Sequence, residues 1–165
     1  MMITQTLLRQ NAYEMPLAES IRQTNDALVR NNEQCLFVTV WLAKLELSTS
    51  HITYINAGHN PALLTNPAKD KCLWLEELSG PVLGLMPDIP YTRHSALLPP
   101  GHKLLIFTDG LNEAENQQNE FYGDDRLRES FLKAKSPEEI MADIAYFVGD
   151  ASPSDDKTYL WIERR

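Results

Sequence analysis

The chain opens with apolar residues at helical spacing. In MMITQTLLRQ they fall on one side of a helix, which is the pattern of an amphipathic segment. A second helix is predicted from Pro16 to about Asn31, because proline suits the first turn of a helix and the apolar residues after it share one face. Nothing ahead of the first segment can cap a helix, so we expect the chain to begin inside a structural element.

The period then changes to the one that is typical of strands. FVTVWLAKLEL and HITYINAG are rich in β-branched and aromatic residues and flank a short polar segment, so they predict a β-hairpin. Four further short strands are predicted in PALLTN, KCLWLEEL, YTRHSALL and HKLLIFT.

Two helices and a last strand close the pattern. The first helix is predicted to be capped by Asp124, and the second to carry a capping box, with Ser136 at the N-cap, Pro137 at N1 and Glu139 at N3. KTYLWIE predicts the final strand. Helices, strands, helices and one strand in separate runs predict an α+β fold in a single domain over residues 1–165.

Composition narrows the classes of partner. Lys and Arg number 15 against 23 Asp and Glu, a formal net charge of −8. Nucleic-acid binding draws on clustered basic residues, so we expect no nucleic-acid partner. No apolar run has the length that crosses a bilayer, and no secretory signal is visible, so we expect no membrane contact. Cys35 and Cys72 lie far apart in apolar stretches, which predicts reduced core thiols in a cytoplasmic protein.

Asp109 is the first residue that indicates chemistry. In LLIFTDGLNEAEN an apolar strand ends directly on Thr108, Asp109 and Gly110. Gly110 lets the backbone bend sharply or approach a ligand closely. Taken alone, Asp109 is either a turn residue that bonds its own backbone or a ligand for a cation.

A second pair of carboxylates stands before the last strand. Asp155 and Asp156 repel each other unless they are solvated or neutralised by a cation. If this strand and the one before Asp109 are antiparallel neighbours, the end of one lies beside the start of the other. The carboxylates then meet at one edge of the sheet, where oxygen ligands suit Mg²⁺ or Mn²⁺.

Other candidate residues are weaker. His59 stands in the turn sequence NAGHNP without a partner at ligand spacing, so a structural role is favoured over that of a ligand or a base. The motifs GxxxxGK[ST], GxGxxG, GxSxG and HExxH are absent. If the protein is an enzyme, a metal-bound water is therefore the best remaining nucleophile.

The motifs taken in order resemble a known family. ITYINAGHNPALL, GPVLGL, LPPGHKLLIFTDGLNEAEN, FYGDDRL and DDKT are similar, in that order, to the PP2C-type serine phosphatases of the SpoIIE/RsbU group. The resemblance covers nearly the whole chain. It implies an α-β-β-α sandwich with two Mn²⁺ or Mg²⁺ ions that activate a water for attack on the phosphorus of phosphoserine. It also implies a phosphorylated STAS-domain protein of bacterial partner switching as substrate, and a sensor or receiver domain upstream.

The resemblance assigns roles to residues of this chain by position. Asp109 matches the metal aspartate of the TDG motif and Asp155 the last metal aspartate, with Asp156 as its neighbour. Gly110 would allow the close turn at the metal. Three residues of NAGHNP lie by similarity near the active-site end, without an assigned catalytic step: Gly58, His59 and Asn60.

The sequence departs from the group at its start. Members carry a DVSGHG or DVSGKG segment whose aspartate bridges the two metals, and this chain has none, so the resemblance predicts an N-terminally truncated domain. Asp109 and Asp155 alone would hold one Mg²⁺ loosely, and we expect this chain by itself to hydrolyse little or nothing. Missing strands would leave a sheet edge open, which offers a route to a homodimer. The alternative is a non-catalytic phosphatase-like module that binds a regulatory partner.

Overall fold

The computed structural model describes residues 2–30, 32–66, 71–152 and 155–165. The elements follow the predicted order of helices, strands, helices and one strand. Their bounds are α1 Met2–Glu14, α2 Leu17–Val29, β1 Val40–Glu46, β2 His51–Ala57, β3 Ala62–Asn66, β4 Lys71–Leu75, β5 His94–Leu97, β6 Lys103–Phe107, α3 Asp124–Lys133, α4 Pro137–Val148 and β7 Tyr159–Glu163. The predicted end of the second helix, Asn31, lies outside the described residues.

The chain forms two compact units. The first unit contains residues 1–59 and 77–97, and the second unit contains residues 60–76 and 98–165. Each unit has its own antiparallel sheet, with strand order β1-β2-β5 in the first and β4-β3-β6-β7 in the second. That residues 1–165 act as one domain stays a prediction.

The first unit is built on the predicted hairpin. β1 and β2 pair antiparallel from Val40 with Ala57 to Glu46 with His51, which confirms the prediction. Helix α2 packs its apolar face on this sheet, and its fully buried Ile21 belongs to the same cluster as Ile55. Burying a side chain of this size contributes roughly 1.5–3 kcal/mol, so the apolar face of α2 contributes to the stability of the unit.

The second unit packs α3 and α4 against its four-stranded sheet. Its core joins strand residues to helix residues, and Phe131 of α3 meets Trp161 of β7 edge to face at 5.1 Å between ring centroids. Lys103 caps the end of α3 from the sheet, because its Nζ donates to the carbonyl oxygens of Phe131 at 3.2 Å and Ala134 at 2.6 Å. Burial lowers the pKa of Lys103. The carbonyls that a helix end leaves unpaired are thereby satisfied.

Three local predictions need correction. Gly123, and not Asp124, is the N-cap of α3, since the carboxylate of Asp124 accepts a hydrogen bond from Asn112 Nδ2 at 2.8 Å. Ser136 is the N-cap of α4 as predicted, but its side chain makes no capping bond. The carboxylate of Glu139 instead accepts the backbone N–H of Lys135 at 2.8 Å, so the capping box does not close.

The third correction concerns the cysteines. Both thiols are free, but Cys35 is exposed and only Cys72 is partly buried. The apolar run that begins at Cys35 does not enter the sheet until Val40, so its first residues precede the strand and face solvent. The prediction of two core thiols was therefore wrong for Cys35.

Candidate metal centre

The carboxylates of interest lie at one end of the second sheet. β6 and β7 pair antiparallel from Lys103 with Glu163 to Phe107 with Tyr159. The chain that leaves β6 therefore begins beside the chain that enters β7. The conditional prediction that these strands are antiparallel neighbours is confirmed, and it brings the segment of Asp109 next to that of Asp155 and Asp156.

Thr108 joins the two segments directly. Its backbone N–H donates to the carbonyl oxygen of Thr158 at 2.9 Å. Its side-chain Oγ1 accepts the backbone N–H of Thr158 at 3.2 Å. The same oxygen lies 3.4 Å from the carbonyl oxygen of Asp156. Two residues that the sequence interpretation left without a role, Thr108 and Thr158, thus fix the neighbourhood of the carboxylates. The signal in the sequence was a threonine at each strand end, in TDG and in DDKT.

Gly110 makes the close approach sterically possible. A Cβ atom at this position would lie 2.4 Å from the carbonyl oxygen of Asp156 and 3.0 Å from its carbon. Real Cβ atoms do not approach a backbone group so closely, so only glycine fits without a shift of one segment. The close approach at Gly110 is therefore to the backbone of the chain itself, and the predicted close turn at a metal stays a prediction.

The three carboxylates at this end of the sheet have little internal pairing. Asp109, Asp155 and Asp156 are all exposed. Asp155 accepts the backbone N–H of Asp156 at 2.7 Å, which orients its carboxylate. For the Asp109 carboxylate, the described part of the chain supplies no hydrogen bond or salt bridge. Neighbouring exposed carboxylates are stable when they are solvated or when a cation neutralises them, so these three are candidate cation ligands.

The donor set fits one hydrated divalent ion. Mg²⁺ is commonly held by one or two carboxylates, with waters completing its octahedron. In residues 2–30, 32–66, 71–152 and 155–165 no group of three or more His, Cys, Asp or Glu side chains is arranged to hold a metal ion. The chemistry of these carboxylates therefore suits one hydrated ion, while its binding to Asp109 and Asp155 stays a prediction.

The NAGHNP turn is built differently. Gly58 and His59 belong to the first unit and Asn60 to the second. Gly58 adopts a φ of +71°, and a Cβ there would lie 2.4 Å from Cγ1 of Val82. The backbone N–H of His59 donates to Oδ1 of Asn56 at 2.9 Å. The backbone of His59 thus takes part in the turn, while the role of its side chain and a place for these residues at the active-site end stay predictions.

Comparison with known proteins then identifies the family. The family model for Stage II sporulation protein E (SpoIIE) matches residues 1–165. The chain belongs to the SpoIIE family. Among curated relatives, phosphoserine phosphatase RsbU of Bacillus subtilis is 26% identical over 100 residues, which make up 61% of this chain and 30% of RsbU.

Solved structures show that this SpoIIE-family chain has the PP2C fold. The SiaA-PP2C domain of Pseudomonas aeruginosa matches 99% of this chain and 67% of that chain with a TM-score of 0.81 at 17% identity. RsbX in complex with magnesium matches 96% of this chain and 69% of that chain with a TM-score of 0.70 at 25% identity. The predicted fold class and the resemblance to the SpoIIE/RsbU group are confirmed.

Two further observations concern the length of the relatives and the helices of the chain. The chain spans between 20% and 30% of the length of the curated relatives it matches. Within the described residues, no helix combines the length and the apolar character that crossing a membrane requires.

Proposed function

We propose that this chain is part of a metal-dependent protein serine phosphatase of bacterial signalling. Its substrate would be a phosphoserine regulatory protein, of the STAS type that serves as anti-sigma-factor antagonist in partner switching. The observation that carries the proposal is the meeting of the Asp109 turn with the Asp155–Asp156 segment at one end of the second sheet. Membership of the SpoIIE family and the name of RsbU, a phosphoserine phosphatase, support it.

The proposed roles follow from charge. Asp109 and Asp155 are the catalytic metal ligands, with Asp156 beside them, and their oxygen donors suit Mg²⁺ or Mn²⁺. The solved complex of RsbX with magnesium supports a divalent cation. A bound ion would lower the pKa of a coordinated water and so supply the nucleophile. Three carboxylates repel a phosphoserine dianion, so the substrate approaches only when a cation neutralises them.

Residues 1–165 alone are proposed to be weak or inactive. Activation of a water between two ions needs anionic ligands shared by both. The described residues offer no group of three potential ligand side chains, so they supply no set of shared ligands for two ions. We expect little hydrolysis by this chain unless further ligands are supplied.

Phosphate release from a phosphoserine STAS protein tests the proposal. The assay compares residues 1–165 with a version extended by the upstream coding sequence, each with Mn²⁺, Mg²⁺ or EDTA. We expect EDTA-sensitive release only from the extended version, and its loss in the Asp109→Asn variant of that version. Activity of residues 1–165 comparable to that of a complete family member would contradict the expected weakness. Release that survives Asp109→Asn would contradict the assigned site.

The second candidate function is a non-catalytic module that binds a regulatory protein. The absence of three clustered ligand side chains among the described residues favours this alternative over full catalysis by the chain alone. It predicts that residues 1–165 bind the STAS protein equally well with EDTA and with Asp109→Asn. Binding that requires both the phosphate and the divalent cation would favour the phosphatase.

Location and assembly are also proposed from the family. We expect a cytoplasmic protein whose full length includes a sensor or receiver domain. The sheet of the first unit ends at β1, which within the described strands pairs only with β2. Such an edge is able to pair with a second copy of the chain. Size-exclusion chromatography that finds only monomer at high concentration would count against a homodimer.

A further inference from the structure

The last rung between β6 and β7 is unusual. The register that pairs Lys103 with Glu163 makes Thr108 and Thr158 the next pair beyond Phe107 and Tyr159. A hydrogen-bonded antiparallel pair normally exchanges two N–H to C=O bonds. Here the N–H of Thr108 donates to the carbonyl oxygen of Thr158 at 2.9 Å, but the return bond does not use the carbonyl of Thr108.

The carbonyl of Thr108 is already engaged in the turn. It accepts the N–H of Leu111 at 3.1 Å, which closes the turn that contains Asp109 and Gly110. The N–H of Thr158 donates instead to Oγ1 of Thr108 at 3.2 Å. The hydroxyl therefore takes the place of the carbonyl in the ladder, and the chain turns immediately after the strand without losing a rung.

The hydroxyl also reaches the segment that carries the other two carboxylates. Its oxygen lies 3.3 Å from the carbonyl oxygen of Thr158 and 3.4 Å from that of Asp156. Because a lone pair of the hydroxyl accepts the N–H of Thr158, its hydrogen is left to donate to one of these carbonyls. The carbonyl of Asp156 is also the group that faces Gly110. The carbonyl oxygen of Asp156 therefore lies close to both the Thr108 hydroxyl and Gly110.

We propose that Thr108 is the positioning residue of the metal centre, whose hydroxyl holds the segment from Asp155 to Thr158 against the Asp109 turn. The inference rests on the proposed function, since it requires that Asp109 and Asp155 bind a divalent cation. Thr108 itself contributes no ligand in this role. Its effect is to keep two carboxylate-bearing segments, which lie far apart in sequence, at a fixed spacing.

The chain contains a matched control for this arrangement. At the other end of β6, Oγ1 of Thr65 accepts the backbone N–H of Lys103 at 2.8 Å and lies 3.4 Å from its carbonyl oxygen. Thr65 therefore makes the same kind of bond in the same sheet, but away from the carboxylates. Its loss reports what a structural hydroxyl contributes without contact with the proposed site.

The test compares Thr108→Val, which keeps the shape and removes the hydroxyl, with Thr108→Ser, which keeps the hydroxyl. Residues 1–165 are titrated with Mn²⁺, and paramagnetic broadening of the amide signals of Gly110 and Asp156 is followed by NMR. We expect the valine variant to need at least threefold more Mn²⁺ for half-maximal broadening, and the serine variant to stay within twofold of the wild type. Hydrogen exchange of the Thr158 amide should accelerate in the valine variant only.

Several results would overturn the inference. One is a folded Thr108→Val variant that titrates like the wild type, and another is a Thr65→Val variant that weakens Mn²⁺ binding equally. If Thr108→Val does not fold, Thr108→Ala and Thr108→Ser are compared, and equal titrations refute a role of the hydroxyl. Failure of the proposed function is distinguishable, because the wild type would then show no broadening at Gly110 that Asp109→Asn removes.

Discussion

Two turns of this molecule follow strands and depend on a glycine, yet they differ in what their polar side chains do. In the first unit, Oδ1 of Asn56 accepts the N–H of His59, so the side chain serves the turn itself. In the second unit, Thr108 serves the turn, and the carboxylate of Asp109 stays exposed without a hydrogen bond or salt bridge in the described part of the chain. A glycine turn at a strand end therefore does not mark a functional site. Under the proposed function, the distinguishing feature of the second turn is a carboxylate that the turn itself does not use.

The largest effect is expected at Gly58, where the turn and its packing both require glycine. Gly58→Ala would place a side chain in a residue with φ +71° and a Cβ 2.4 Å from Cγ1 of Val82. The left-handed conformation and the overpacking together should lower the free energy of unfolding by about 2–4 kcal/mol. Chemical denaturation of the variant measures this change.

Gly101 provides the control for that experiment. It has a φ of +81°, but nothing lies within 4 Å of a Cβ built there. Gly101→Ala should therefore lower the free energy of unfolding by only about 1–2 kcal/mol, the contribution of the conformation alone. Equal losses at both glycines would show that packing against Val82 contributes nothing.

The next prediction tests the difference between Asn56 and Asp109 by exchanging the amide of Asn56 for a carboxylate. The Asn56 residue is only 1% exposed, so Asn56→Asp would bury a carboxylate within the turn of the first unit. We expect a loss of about 2 kcal/mol in the free energy of unfolding, measured by denaturation at neutral pH. The loss should shrink at acidic pH, where the aspartate is protonated, and a variant as stable as the wild type at neutral pH would refute the structural role given to Asn56.

The reverse exchange should have the opposite profile. Asp109→Asn removes an exposed carboxylate, so the free energy of unfolding should stay within about 0.5 kcal/mol of the wild type. The dissociation constant for Mn²⁺ should rise at least about tenfold, which corresponds to about 1.4 kcal/mol. Isothermal titration or paramagnetic broadening measures the affinity. Unchanged affinity, or a large loss of stability, would place Asp109 with the turn residues and remove the contrast with Asn56.

The sequence predicted the strands next to both turns better than it predicted the contacts of the turn side chains. The period of apolar residues gave the β1–β2 hairpin, and hairpin partners are close in sequence, so their pairing followed from local pattern. The pairing of β6 with β7 spans two helices, and no local pattern specifies it. That the segments of Asp109 and Asp155 are neighbours was therefore a conditional prediction until the register was known.

Thr108 and Cys35 show two further limits. The role of Thr108 depends on which group occupies its own carbonyl, and that is decided by the turn geometry at Leu111 rather than by residue type. Cys35 begins an apolar run that continues into a strand, and the pattern alone does not tell where in the run burial starts. The role of Thr108 and the exposure of Cys35 could be determined only from the path of the backbone.

The smallest effect on stability is expected at Tyr122, which fixes the segment that follows the Asp109 turn. Tyr122 donates its hydroxyl to the carboxylate of Asp143 at 2.5 Å, and its backbone N–H donates to the carbonyl of Ala114 at 2.8 Å. Burial, together with the bond to Asp143, raises the pKa of Tyr122 to about 12 from an ordinary 10.0. The folded state thus keeps a proton that the unfolded state releases, so this contribution is complete below pH 10 and is lost as the pH rises through about 12.

Comparison with Tyr122→Phe isolates the contribution of this hydroxyl. The phenylalanine variant should be less stable than the wild type at neutral pH by about 1 kcal/mol, the size of one hydrogen bond. The difference between the two proteins should shrink and vanish as the pH rises from 10 towards 12, because the unfolded wild type releases the tyrosine proton there while the folded wild type keeps it. Thermal denaturation across this range measures it. A difference that stays constant with pH would mean that the hydroxyl acts by packing. The segment after the Asp109 turn would then be fixed without a titrating group, as the Asn56 turn is.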